Sequence, residues 1–101
     1  MWENQTIDLG NILEKSKHVI DFKYKGELEV LKTEASCGCT SVVHIPEQNI
    51  IRVTYKAGRV PKHLRYKGSF VANKKIKVIT PDDVHELVIL VTIKMKYFFD
   101  R

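Results

Sequence analysis

Residues 36–40 read Ser36-Cys37-Gly38-Cys39-Thr40, and this pentapeptide holds both cysteines of the chain. It stands between two runs with strand character, residues 28–34 (LEVLKTE) before it and residues 40–45 (TSVVHI) after it. β-Branched side chains suit the pleated, half-buried surface of a sheet. A glycine between small residues marks a sharp turn or a close backbone approach. The pentapeptide therefore predicts a tight connection between two strands.

Working outward, the same alternation recurs on both sides. Residues 18–24 (HVIDFKY) set Ile20, Phe22 and Tyr24 on one face, with Asp21 and Lys23 on the other. A turn at Lys25-Gly26-Glu27 predicts that this run and residues 28–34 form a hairpin. Residues 5–9 (QTIDL), ending before Gly10, predict a first strand, while residues 11–17 (NILEKSK) fit no single period. Downstream, Pro46-Glu47-Gln48-Asn49 reads as a turn. Residues 50–56 (IIRVTYK) then bury Ile51, Val53 and Tyr55 and turn Arg52 and Thr54 outward. Residues 57–67 (AGRVPKHLRYK) show no period and read as a basic loop. Residues 68–72 (GSFVA) and 75–80 (KIKVIT) read as one long strand interrupted near Asn73-Lys74, or as two. After the turn at Pro81-Asp82-Asp83, Leu87, Ile89, Val91, Ile93 and Met95 occupy every second position. Val88 and Leu90 on the opposite face predict a central strand covered on both sides.

Seven or eight short strands at regular spacing, with no convincing helix, predict an all-β sandwich or barrel. A length of 101 residues fits one domain, 1–101, with its core within about residues 5–96. Hydrophobic residues make up 44% and charged residues 29%, ordinary globular values that argue against disorder. Seventeen Lys and Arg against twelve Asp and Glu give +5, which favours polyanionic neighbours or simply keeps the chain soluble. The first fifteen residues contain Glu3, Asp8 and Glu14 and no apolar stretch of the signal-peptide kind, so a virion or cytoplasmic location is expected. The longest apolar-rich run, residues 87–93, is far short of the roughly twenty residues of a membrane span, so no membrane partner is expected.

Several features come in an order that matches a known family. They are Asp8-Leu9-Gly10 with Ile12, a strand through Phe22, the run Leu28 to Thr40 ending in Ser-Cys-Gly-Cys-Thr, and Ile51 to Tyr55. Gly68-Ser69-Phe70 and the Ile76 to Thr80 run follow before the last apolar strand. Over roughly residues 5–96 the chain resembles a bacterial family of unknown function with a Cys-Gly-Cys-Thr signature. That family is allied to the Hydin-like (ASH) and major-sperm-protein-like immunoglobulin domains. The resemblance implies a single Ig-like β-sandwich of about seven strands with no established catalytic activity. The family's Asn-x-Gly turn after the second strand is only Lys25-Gly26 here, and its Pro-Gly turn is Pro46-Glu47-Gln48-Asn49. The Cys…Trp…Cys spacing of antibody domains is absent, because Trp2 is the sole tryptophan, so packing is expected to close the sandwich.

Candidate sites are few. Cys37 and Cys39, with His44 as a third group, are a weak metal set, since a structural zinc takes four ligands. The same two cysteines read alternatively as a strained disulfide, or as two small, partly buried thiols in a tight turn. The thiol reading is the main expectation, and no cofactor is expected. Arg59, Lys62, His63, Arg65, Tyr66 and Lys67 form a basic loop able to meet phosphates or an acidic protein surface. Trp2 near one end, and Tyr97, Phe98 and Phe99 in the aromatic C-terminal end 97–101, are either tucked back on the domain or anchors at a protein interface. Neither a glycine-rich phosphate loop nor a G-x-S-x-G elbow occurs, and the histidines lie far apart, so no enzyme is expected. The expected role is that of a structural and interaction module binding other protein subunits, best placed as an accessory protein of a phage head or tail. A thiol or metal module and a polyanion-binding protein are the alternatives.

Overall fold

The computed structural model describes residues 2–36 and 38–95. Seven strands follow one another: β1 (Thr6–Leu13), β2 (Lys17–Lys23), β3 (Lys32–Ala35), β4 (Thr40–Ile45), β5 (Ile50–Lys56), β6 (Ser69–Ile79) and β7 (Val84–Lys94). They form two sheets, one in the order β1-β7-β6-β3 and the other β2-β5-β4. β1 runs parallel to β7, and the other pairings are antiparallel.

The inner faces of both sheets close one core. Phe22, Ile51, Val53 and Tyr55 from the three-stranded sheet meet Ile76, Val78, Leu87, Ile89 and Val91 from the other, all essentially without solvent contact. These are the positions that period-two alternation assigns inward in β2, β5 and β7, and no inter-sheet disulfide is needed to hold them. β7 is central, as its alternation predicts, but it is covered on one side only. Val88 and Leu90 are half-exposed on the outer face.

Three local readings change. The first strand does not stop at Gly10. The backbone there takes φ of 70°, the Gly10 N–H donates to Asp8 Oδ1 at 2.8 Å, and the register with β7 shifts between Asp8 and Asn11. This is a bulge, which only glycine makes without strain. It moves the buried position from residue 11 to Ile12, which explains why residues 11–17 show no single period. Secondly, the hairpin predicted for residues 18–34 does not form, because β2 pairs with β5 and β3 with β6. Residues 24–31 instead cross between the sheets. The Tyr24 N–H donates to the Asn49 carbonyl at 3.0 Å at one end, and the Leu31 N–H to the Ile79 carbonyl at 2.8 Å at the other. Leu28 and Val30 pack against the core on the way, so burial rather than strand pairing sets the path. Thirdly, β6 passes through Asn73-Lys74 unbroken, in continuous register with β7 from Ser69 to Ile79. Asn73 points to the exposed face there, so its polarity does not interrupt the ladder.

The basic loop also carries structure, a 3-10 helix over Lys62–Lys67 ended by Gly68 at φ of 73°. The Gly68 N–H donates to the Arg65 carbonyl, and the Gly68 carbonyl accepts from Met95 at 2.9 Å, which ties the loop to the end of β7.

Candidate interaction surfaces

The cysteine turn comes out differently from its main expectation. Cys39 is disulfide-bonded. The other cysteine of the sequence is Cys37, which lies outside the described residues. The reading of two free thiols therefore gives way to the disulfide alternative at Cys39. The Cys39 carbonyl accepts the Lys56 N–H at 3.0 Å, and the side chain packs at the edge of the core. Gly38 has nothing within 4 Å of where a Cβ would stand, so no close backbone approach calls for a glycine there. His44 is not brought to this turn. It lies near the far end of β4, about 13 Å along the strand from Thr40 at 3.3 Å per residue. Its Nε2 shares a 2.7 Å hydrogen bond with the Tyr24 hydroxyl. Among the described residues no group of three or more His, Cys, Asp or Glu is placed to hold a metal.

Tyr24 is the hub of a small cluster at that end of the sandwich. Burial, with the nearby Glu47 carboxylate adding to it, pushes its hydroxyl above the ordinary tyrosine range. Trp2 forms an isolated bridge to Tyr24, and their rings meet edge to face with centroids 5.5 Å apart. The Trp2 indole N–H donates to His85 Nδ1 at 3.1 Å, across 83 residues of sequence. Of the two placements open to Trp2, the structure shows the ring packed back on the domain against Tyr24 and His85, where it stays half-exposed. Tyr97, Phe98 and Phe99 lie outside the described residues. Trp2→Phe keeps an aromatic ring but removes the donor and part of the packed surface, and it is expected to lower stability by at least about 1 kcal/mol. Urea titration followed by circular dichroism measures this, and an unchanged midpoint would show that the bond to His85 contributes nothing.

The opposite end gathers positive charge from four chain segments. β1 ends with Leu13 beside Lys94 of β7, and β2 begins with Lys17 beside Lys56 of β5. The Lys15 N–H donates to the Ala57 carbonyl, and the Ala57 N–H to the Ser16 carbonyl, binding residues 13–17 to the start of the loop. The loop adds Arg59, Lys62, Arg65 and Lys67, while Lys15, Lys17, Lys56 and Lys94 come from the strand ends. Sequence reading finds the first four, which share one short segment, and misses the other four. Glu14 sits beneath them, 9% exposed, with Oε2 accepting the Val60 N–H at 3.1 Å and lying 3.6 Å from Arg65 Nη1. His63 is exposed on the same helix. The Trp2 end is acidic instead, with Glu27, Glu29, Asp82 and Asp83 lining one cleft beside His85.

The outer sheet faces carry a third set of groups. On the three-stranded sheet, Arg52 pairs with Asp21 through two contacts of 2.9 and 3.2 Å. That hydrogen-bonded guanidinium holds the Asp21 carboxyl below its usual range. Val19 and Val43 stand exposed beside the pair. On the four-stranded sheet, Val71 lies next to Thr92 and diagonal to Leu90.

No family model and no curated protein matches the chain. Among solved structures, the titin M3 domain superposes with a TM-score of 0.56 at 8% identity, covering 93% of this chain and 95% of that one. A sialyltransferase from Photobacterium damsela reaches a TM-score of 0.46 at 14% identity, over 89% of this chain and 18% of its own. The first likeness shows the fold, an Ig-like sandwich, and the second is too loose to bear on it. Among the described residues no helix is long and apolar enough to cross a membrane.

Proposed function

We propose that the chain is a non-enzymatic Ig-like module that docks protein neighbours within a larger assembly. The observation that carries this reading is apolar surface left outside a finished core. Val71 is 69% exposed, Val19 60% and Val43 55%, although the inner faces of both sheets already close a core between them. Apolar surface on a sheet that needs no further folding partner gains about 25 cal/mol per Å² when a neighbour covers it. Fold alone does not assign the neighbour.

The finer proposal is an accessory protein of a phage head or tail. It rests on architecture, an Ig-like sandwich of the kind used as small added parts of particles. The Ser36 to Thr40 pentapeptide supports kinship with the Cys-Gly-Cys-Thr family, which offers no enzymatic role to compete with this one. The native mass of untagged protein recovered from its source tests both levels. Co-migration with a megadalton particle is expected, whereas a free species near 11.7 kDa would overturn the assembly reading.

A further inference from the structure

We infer that the basic end of the sandwich is a docking surface for the sugar-phosphate backbone of single-stranded nucleic acid. This goes beyond the protein-docking reading and uses a different surface. Eight Lys and Arg side chains from four segments converge there, fixed by the strand register and by the backbone bonds at Ala57 and Gly68. A domain whose basic residues cluster on one surface carries the electrostatic footprint of a phosphate binder. Glu14, the carboxylate of this end among the described residues, is buried under the loop against Val60 and Arg65; it offsets one of the eight charges, that of Arg65, and leaves the end strongly positive.

Tyr66 decides between phosphate chains and acidic proteins. The residue is 74% exposed in the last turn of the 3-10 helix, between Arg65 and Lys67, with the Lys67 ammonium 5.8 Å from the ring centroid. An aromatic face standing among cations fits a base stacked beside its own phosphates. Carboxylates alone would offer the cations partners and leave the ring uncovered, whereas one nucleotide supplies both a phosphate and a stacking face. A base in single-stranded nucleic acid is free to stack, whereas one inside a duplex is already stacked on both sides. The acidic cleft at the far end turns the molecule's field, so that the basic end leads toward a polyanion.

The test is fluorescence anisotropy of a labelled oligothymidine with the full chain. If about five of the cations meet phosphates, raising salt from about 50 to about 200 mM weakens binding about 100-fold. Arg59→Glu, Lys62→Glu and Lys67→Glu together are expected to lower affinity by at least about 30-fold. Lys32→Glu, Lys75→Glu and Lys77→Glu, on the exposed face of the four-stranded sheet, change net charge equally and are expected to leave affinity within about threefold. Tyr66→Ala is expected to lower single-strand affinity about tenfold. All these positions are exposed, and thermal melts of each variant establish that it folds. No binding at low salt would overturn the inference, as would equal losses in the two triple variants, which would make net charge the cause. A duplex bound as tightly as the single strand, with Tyr66→Ala without effect, would overturn the single-strand assignment. Salt-sensitive self-association through this end without oligonucleotide binding would assign it to an acidic protein surface instead. None of these outcomes touches the native-mass experiment, so the two readings stand or fall separately.

Discussion

Phe22→Ala is expected to lower the unfolding free energy by about 3–5 kcal/mol, the largest effect of any single truncation argued for this chain. Phe22 has no solvent exposure, lies opposite Ile51 in the β2–β5 ladder, and faces the inner side of the other sheet. Removing its ring forfeits the transfer free energy of the buried carbons and leaves a cavity between the two packed sheets that they only partly close. A domain of this size has about 5–15 kcal/mol of stability in all, so the variant retains a fraction of it. Urea titration followed by circular dichroism measures the change, with an unchanged slope showing that the unfolded surface is the same. Val19→Ala supplies the contrast. Val19 stands on the same strand three residues earlier but faces solvent, and its truncation is expected to change stability by no more than about 0.5 kcal/mol. Similar losses in both would mean that strand propensity, and not burial, governs β2.

The contrast between these two residues is legible in the sequence, because a strand's two faces alternate residue by residue. The same rule finds Ile51, Val53 and Tyr55, and the run from Leu87 to Ile93, all of which are buried at alternate positions. It fails where the chain adds a residue or chooses a distant partner. The bulge at Gly10 breaks the count and hides Ile12. The turn at Gly26 is real, with φ of 86°, yet it leads into a crossing between sheets and not into a hairpin. Turn chemistry is local, while pairing is settled across the whole domain, where β2 joins β5 and β3 joins β6 in the other sheet. The cysteine turn shows a further limit. Two cysteines separated by one glycine are compatible with thiols, a metal or a disulfide, and backbone geometry selects among them. The interaction surfaces were the least legible part. Arg59 to Lys67 announces itself as a basic run, but Lys15, Lys17, Lys56 and Lys94 are isolated in sequence and meet only because β1 ends beside β7 and β2 begins beside β5. His85 similarly gives no sign that it accepts a bond from Trp2.

Glu14→Ala is expected to lower stability by about 2–3 kcal/mol, through a residue that sequence reading passes over as part of an aperiodic stretch. Its carboxylate accepts the N–H of Val60, itself buried, and lies close to the Arg65 guanidinium, so it fastens the loop to the end of β1. Truncation leaves the Val60 N–H without that acceptor and Arg65 without that counter-charge. Glu14→Gln keeps an oxygen in place and gives up only the charge, so about 1 kcal/mol is expected. Chemical denaturation ranks the two, and hydrogen exchange locates the effect, with the Val60 amide of the alanine variant exchanging faster than core amides of β7. Equal acceleration throughout would show a global loss with no special role for the loop. Oligonucleotide affinity adds a test of sign. Removing a negative charge from beneath a basic surface should by Coulomb's law tighten phosphate binding. If the buried carboxylate instead serves to hold Arg59, Lys62 and Lys67 at fixed spacing, Glu14→Ala weakens binding despite the gain in positive charge, because the loop must be ordered each time it docks. Glu14→Gln, which gives up the same charge but retains the acceptor, should then bind more tightly than the alanine variant. Equal tightening in both variants would mean that the loop's charge matters and its shape does not.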